Sequence, residues 1–237
     1  MSVKSNIGVV TDGLVFYVDA GNDLSYPGSG GTWSDLVGGN NGSFNSMDDI
    51  NNPSNNYDSG SGGSIVFDGV DDYVRISNTI TDVFSFDNIS ATFTIWVKPD
   101  SIDTMILVKR NNSFGWEIQL DGNGFISWYF QSSGGTFFDQ ADGTAVSTGQ
   151  WNHITVVLNR DTNIVSRYLN ATPTGTNTSI NGLTSLTDNS TDVSIGGRYA
   201  RNDKYFNGNI GPTCIYNRAL SASEILQNYN ALKNRFV

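Results

Sequence analysis

The side chains able to do acid–base or nucleophilic chemistry are few. The chain has 237 residues, with one histidine, His153, one cysteine, Cys214, and two glutamates, Glu117 and Glu224. A nucleophilic triad needs a base held beside a nucleophile, and no such pattern accompanies His153. His153 sits in an apolar stretch that starts at Trp151, so it reads as a strand histidine packed near a sheet surface. A tetrahedral zinc site needs more His or Cys than this chain holds. Gly38-Gly39 and Gly196-Gly197 are not followed by Gly-Lys-Ser/Thr, so neither is a phosphate loop. Glycosidic bond cleavage with retention needs two carboxyl groups about 5–5.5 Å apart. Glu224 falls at the start of a helix. Glu117 lies in Gly115-Trp-Glu-Ile-Gln-Leu120 with no carboxylate two or four residues on, where the same strand face would present it. A pair of loop aspartates has no signal in the sequence. The expected conclusion is binding or structure rather than catalysis.

Composition narrows the partners. The net charge is −10 and the sequence pI is about 4.3. Phosphate backbones and anionic membranes need a basic face, so nucleic acid and membrane partners are not expected. No apolar run reaches a transmembrane length. Met1-Ser-Val-Lys-Ser-Asn6 opens no run long enough for a signal peptide, so synthesis in the cytoplasm is expected. The triplets Asn88-Ile-Ser90 and Asn170-Ala-Thr172 therefore carry no weight as glycosylation sites. A single cysteine excludes an internal disulfide, and Cys214 reads as a buried strand residue.

The elements that must position any site are mostly strands. There are 26 glycines against 5 prolines, which fits many tight turns. From Val9 to Asp19, Leu14, Phe16 and Val18 alternate with Val15, Tyr17 and Asp19 after a turn at Thr11-Asp-Gly13. Asn22 to Gly63 is rich in Gly, Asn, Ser and Asp, and is expected as ordered irregular chain pinned by Trp33 and Phe44. Strands return at Ser64–Asp68 and Tyr73–Ile76, joined by Gly69-Val-Asp-Asp72. In Ala91–Lys98, Phe93, Ile95 and Val97 oppose Thr92, Thr94 and Trp96. Met105–Lys109, Gly115–Leu120 and Phe125–Phe130 predict a meander, with Asp121-Gly-Asn-Gly124 as a hairpin turn. Trp151–Asn159, Ile164–Leu169, Val193–Gly197 and Asn209–Tyr216 complete the set. Ser221 and Glu224 have capping-box spacing, and Ile225, Leu226, Tyr229 and Leu232 then share a helical face. The pattern predicts one all-β domain over residues 1–237, closed by one short C-terminal helix.

An ordered series of motifs runs through this frame. It comprises Asp12-Gly-Leu-Val-Phe-Tyr-Val-Asp-Ala-Gly-Asn22, Ser25-Tyr-Pro-Gly28, Thr32-Trp-Ser-Asp-Leu36 and Asn40-Asn-Gly42. Val66-Phe-Asp-Gly-Val-Asp-Asp-Tyr-Val74, Gly149-Gln-Trp-Asn-His153, Ser194-Ile-Gly-Gly197 and Tyr216-Asn-Arg-Ala-Leu220 follow. In this order the motifs resemble the laminin-G-like branch of the concanavalin A-like lectin/glucanase superfamily. With Ser25-Tyr-Pro-Gly28 near one end and Asn228-Tyr-Asn-Ala-Leu-Lys-Asn-Arg-Phe236 at the other, the chain also resembles free-standing domains of tailed-bacteriophage structural proteins.

The resemblance implies a two-sheet antiparallel jelly-roll sandwich with one concave face. It also implies a non-catalytic virion structural or decoration protein, displayed in many copies among other virion proteins and forming a homo-oligomer. A cell-surface polysaccharide is the implied ligand. An adhesin outside any virion is the alternative reading. A hydrolase is disfavoured, because the Glu-x-Asp-x-x-Glu strand of related glucanases is missing. Saccharide binding needs aromatic platforms beside polar groups. Trp128 and Tyr129 lie in one strand on opposite faces, and Trp116 lies in its hairpin partner. The loops Arg110-Asn-Asn-Ser-Phe114 and Arg198-Tyr-Ala-Arg-Asn-Asp-Lys-Tyr205 correspond to loops that edge the family's binding face. The candidate glycan residues are therefore Trp116, Trp128, Tyr129, Arg110, Phe114, Arg198, Tyr199 and Tyr205, although strand aromatics are equally core residues. Calcium is the one metal the residue types suit, held by Asp68, Asp71 and Asp72, as many relatives use loop calcium. The same aspartates also serve as turn caps. No other cofactor is implied.

Overall fold

Alternation along each strand decides which side is buried, and among the described residues the inward apolar positions of both sheets meet in one interior. The computed structural model describes residues 8–47, 56–77, 83–110, 114–132, 135–138, 141–186, 191–198, 201 and 203–237. In chain order the strands begin with β1 (Leu14–Val18), β2 (Thr32–Trp33), β3 (Gly42–Asn45), β4 (Tyr57–Asp58), β5 (Ser64–Asp68) and β6 (Tyr73–Ile76). Next come β7 (Ala91–Pro99), β8 (Thr104–Arg110), β9 (Gly115–Leu120), β10 (Ile126–Ser132) and β11 (Gly135–Phe138). The series ends with β12 (Asn152–Asn159), β13 (Ile164–Leu169), β14 (Thr172–Ser179), β15 (Val193–Ile195), β16 (Asn207–Tyr216) and the helix α1 (Ala222–Phe236).

The strands form two antiparallel sheets. The first runs β14-β13-β12-β7-β16-β5-β4, and the second runs β11-β10-β9-β8-β15-β6-β3-β2. Strand β16 is shared on its free side: β5 pairs with Asn207–Ile210, and β1 pairs with Thr213–Tyr216. Segments from the two ends of the chain therefore meet at the middle of the first sheet. This is the two-sheet jelly-roll sandwich that the motifs imply.

Most strands fall where alternation places them. Five do not. Asn22–Gly63, expected as irregular chain, contains β2, β3 and β4, and β3 pairs with β6 inside the second sheet. Trp33 is fully buried and Phe44 packs against the core, so both anchors act as the sequence suggests. Strand β14, Thr-Pro-Thr-Gly-Thr-Asn-Thr-Ser, carries no apolar alternation because it is a mostly exposed edge strand, where a proline is tolerated. Strand β11 is likewise an edge strand, in the second sheet. Strands β5 and β6 lie in different sheets, so Gly69–Asp72 crosses the sandwich instead of closing a hairpin within one sheet.

The interior is aromatic. Phe16, Trp33, Phe67, Phe93, Trp116, Trp128 and Phe130 are fully buried together. Each contributes roughly 1.5–3 kcal/mol by leaving water. At one end the buried Arg167 closes this interior, donating from Nη1 to Ile126 O at 2.8 Å and from Nη2 to Asp142.

The outer face of the first sheet is covered by α1. Trp96 stacks on Phe236 at 4.7 Å and on Tyr229 at 5.5 Å, and Trp151 meets Phe236 at 4.6 Å. The capping box forms: Ser221 Oγ accepts the Glu224 N–H, and Glu224 Oε2 accepts the Ser221 N–H. Arg218 also holds Glu224, with Nη2 to Oε1 at 2.6 Å, and this contact first, then the cap, holds that carboxyl down to about 2. The helical face differs by one position from the expected one. Leu226 is 48% exposed, and Asn228 is buried instead. Asn228 Oδ1 accepts from Val10 N at 2.8 Å, its Nδ2 donates to Tyr216 Oη at 3.0 Å, and Tyr216 Oη donates to Val10 O at 3.0 Å. This polar ring ties the first described residues, β16 and α1 together. Cys214 is buried, as its strand position suggests. Among the described residues no helix is long and apolar enough to cross a membrane.

His153 lies under the helix, against Trp96 at 5.1 Å and Tyr229 at 5.8 Å. Burial holds its pKa down to about 3, from an ordinary 6.5. As the pH falls below about 6.5, the unfolded chain binds a proton that the folded chain refuses, so folding stability is present at neutral pH and declines with acid. The loss is about 1.4 kcal/mol per pH unit for one such site. Urea unfolding midpoints should drop between neutral pH and about pH 5, and His153→Phe should flatten that slope. The same slope in the variant would remove His153 as the cause. Ser221→Ala should lower stability at neutral pH by about 1 kcal/mol, read from the same unfolding curves.

Candidate functional site

Among the described residues no helix covers the outer face of the second sheet, and its strands present polar groups there. In β9, Trp116, Ile118 and Leu120 enter the core, so Glu117 and Gln119 must point outward. In β10, Trp128 and Phe130 enter the core, so Ser127, Tyr129 and Gln131 point outward. Register then makes rows. Glu117 lies opposite Val108 of β8 and Tyr129 of β10, while Gly115 lies between Arg110 and Gln131. Gly115 has φ +118°, and a Cβ there would come within 2.0 Å of Lys109 O. A glycine is required at that point, and its missing side chain opens the row for Arg110 to reach Gln131.

Glu117 is the centre of the arrangement. Its Oε1 accepts from Arg110 Nη1 at 3.0 Å, and its Oε2 accepts from Arg198 Nη2 at 3.0 Å. The three side chains are 10% (Arg110), 3% (Glu117) and 9% (Arg198) exposed. Arg110 also donates to Gln131 Oε1, from Nη2 at 2.9 Å and Nε at 3.3 Å, and its guanidinium lies 4.1 Å from the centre of the Tyr129 ring. Arg198 follows β15 and pairs with Asp203 at 3.4 Å, within a short bridge between the two residues. Tyr205 continues from there. Its ring lies over Gly197, where a Cβ would come within 2.5 Å of Cδ1, and it faces Tyr73 at 6.5 Å. Burial, then the neighbouring Tyr73, raises the Tyr205 phenol above its ordinary value.

The candidate glycan residues divide. Arg110, Tyr129 and Arg198 come together around Glu117, and Tyr205 lies beside them. Phe114 is half-buried at the start of the same hairpin. Tyr199 lies outside the described residues. Trp116 and Trp128 do not belong to the face: both are fully buried, and Trp116 Nε1 donates to Phe84 O at 2.8 Å. Period-two alternation sends them inward, and a side chain without exposure offers no platform to a sugar. Sequence reasoning weighed Glu117 only as an acid without a partner, and passed over Gln119, Gln131, Asp203 and Tyr73. The outward positions of β9 and β10 were a usable signal for the first two.

The acidic loop lies between the sheets. The carboxylates of Asp68, Asp71 and Asp72 come within 4.8 Å of one another. Asp72 Oδ2 accepts the Asp68 N–H at 3.0 Å, and Asp68 Oδ1 accepts the Val70 N–H at 2.7 Å. Turn capping therefore accounts for the placement of Asp68 and Asp72. The donor set has the hard-oxygen chemistry of calcium ligands, and carbonyls or water would have to complete the six to eight oxygens that calcium takes.

Residues 68–226 match the family described as the concanavalin A-like lectin/glucanases superfamily, and the chain belongs to it. The comparison with curated proteins matched nothing. Among solved structures, the binding domain of Paraclostridial Mosquitocidal Protein 1 is similar at 20% identity and TM-score 0.66, over 92% of this chain and 52% of that one. Domain 4 of AbnA, a GH43 extracellular arabinanase from Geobacillus stearothermophilus in complex with arabinotriose, is similar at 22% identity and TM-score 0.62, over 91% of this chain and 98% of that domain. Trypanosoma rangeli sialidase is similar at 16% identity and TM-score 0.64, over 97% of this chain and 34% of that protein. These likenesses establish the fold. The chain spans about half of the mosquitocidal protein's binding domain and a third of the sialidase.

Breaking the buried pair leaves two guanidiniums short of their counter-charge. Glu117→Gln should therefore lower stability by about 3–5 kcal/mol in urea unfolding. Asp203→Asn removes a partner that is 41% exposed, and should change stability by less than about 1 kcal/mol.

Proposed function

We propose that this chain is a non-catalytic carbohydrate-binding domain whose ligand lies on the outer face of the second sheet. The observation that carries the reading is the convergence of Arg110, Glu117, Gln131 and Arg198 beside Tyr129, Tyr73 and Tyr205 on a sheet face. Few, well-placed polar groups beside half-buried rings are what saccharide recognition uses. Fold similarity to domain 4 of an arabinanase, solved with arabinotriose, supports it. The chemistry of the two glutamates supports the absence of catalysis. Both oxygens of Glu117 are taken by guanidiniums, and Glu224 is held down to about 2, the opposite of the raised pKa that a general acid needs.

The setting we propose is a virion, with many copies displayed as a homo-oligomer beside other virion proteins. It rests on the resemblance of the chain's two ends to phage structural domains. Many copies would turn a weak single-site affinity into an avidity about 10²–10⁴ higher. Calcium at Asp68, Asp71 and Asp72 belongs to the same proposal, as a brace of the loop next to Tyr205.

Affinity gel electrophoresis against a panel of bacterial and algal polysaccharides tests the main claim. Retardation is expected with at least one, and Tyr205→Ala should weaken it roughly tenfold or more. Retention of none, or release of reducing sugar from any, would overturn the reading. Mass spectrometry of purified virions tests the setting.

A further inference from the structure

We propose that the saccharide bound on this face carries an acidic group, a carboxylate or a sulfate, and that Arg198 receives it. This rests on the carbohydrate-binding reading above and names its ligand class. The charge count comes first. Arg110 and Arg198 share a single carboxylate, so three nearly buried side chains hold one positive charge in excess. Asp203 offsets it only in part, because it is 41% exposed and water screens it. Arg201, 50% exposed beside Asp203, adds another cation on the same side. In a chain of net charge −10, this is a local inversion of sign.

The hydrogen bonds identify which arginine is available. Arg110 is fully engaged through Nη1, Nη2 and Nε, and is stacked on Tyr129. Arg198 uses its two Nη atoms on Glu117 and Asp203, while its buried Nε has no acceptor. The Nε carries almost no exposed surface, so a ligand oxygen reaches it as its cover shifts, and then recovers the roughly 1–3 kcal/mol of an unmet donor. Two residues from Glu117 along β9, the buried Gln119 Oε1 lacks a donor. Gln119 is thus a second unmet atom on the same outward row as Glu117, the carboxylate that Arg198 holds. An acidic oxygen on Arg198 and a ring hydroxyl donating to Gln119 would satisfy both atoms at once.

The test compares three polysaccharides on the intact chain: polygalacturonate, a sulfated galactan and a neutral galactan, by affinity electrophoresis at low and high salt. We expect one of the two anionic polymers to bind roughly ten- to a hundredfold more tightly than the neutral one, with the difference shrinking at high salt. Which of the two binds distinguishes carboxylate from sulfate. Arg198→Lys keeps the charge beside Glu117 but removes the Nε donor, and should erase most of the preference. Gln119→Leu should weaken binding with Arg198 intact, and serves if the lysine variant does not fold. Equal binding of neutral and anionic polymers, or an unchanged preference in a folded Arg198→Lys variant, would sink this inference and leave the carbohydrate reading standing. Retention of none of the three would sink this inference, and the wider polysaccharide panel then decides the carbohydrate reading.

Discussion

Glu117 is a buried charge, and the outer face of the second sheet is arranged around that fact. A carboxylate at 3% side-chain exposure has lost most of its water, and something must replace it. Two guanidiniums do so, one on each oxygen, and they come from different parts of the chain: Arg110 ends β8, and Arg198 follows β15. The pair ties the β8–β9 hairpin to the segment that leads into β16. The remaining contacts follow from holding these two arginines. Gln131 and the Tyr129 ring fix Arg110, and Asp203 steadies Arg198.

The two outer faces of the sandwich have opposite fates, and the sequence of β7 explains one of them. Its outward positions are Thr92, Thr94 and Trp96, the last of which needs cover. Helix α1 supplies that cover with Tyr229 and Phe236. Tyr216-Asn-Arg-Ala-Leu220 sets the approach. Thr92 Oγ1 donates to Arg218 O and accepts from Leu220 N, and Arg218 then reaches Glu224 in the helix cap. Arg235 closes the far end on Asp19 with two bonds of 2.7 Å. On the second sheet the outward residues of β9 and β10 are Glu117, Gln119, Ser127, Tyr129 and Gln131, whose polarity suits a wet or ligand-bearing surface.

Legibility in the sequence followed burial. Phe93-Thr-Ile-Trp-Val97 and Trp116-Glu-Ile-Gln-Leu120 announce their inner faces by alternation, and the capping box announces the helix. Edge strands were hidden, since β14 packs little and its Thr-Pro-Thr-Gly carries no pattern. Strands β2 and β3 were hidden because each is short and held by long-range pairing, such as Phe44 against Val74. Asn228 was hidden because a polar residue on a buried helical face is recognisable only when its partners, Val10 and Tyr216, are known. The site was half legible for the same reason. Aromatic type nominated Trp116 and Trp128, whereas alternation placed them in the core and assigned the face to their neighbours.

The same physics that builds the face supports the proposed absence of bond cleavage on it. A hydrolytic carboxyl must exchange a proton or attack a carbon, and either role needs an oxygen free of strong permanent donors. Glu117 has neither oxygen free. Releasing it would strand Arg110 and Arg198 with their charges uncompensated in a poorly hydrated place, at a cost of several kcal/mol. A carboxylate committed in this way stabilises its surroundings and fixes the donors that the proposed carbohydrate-binding role uses.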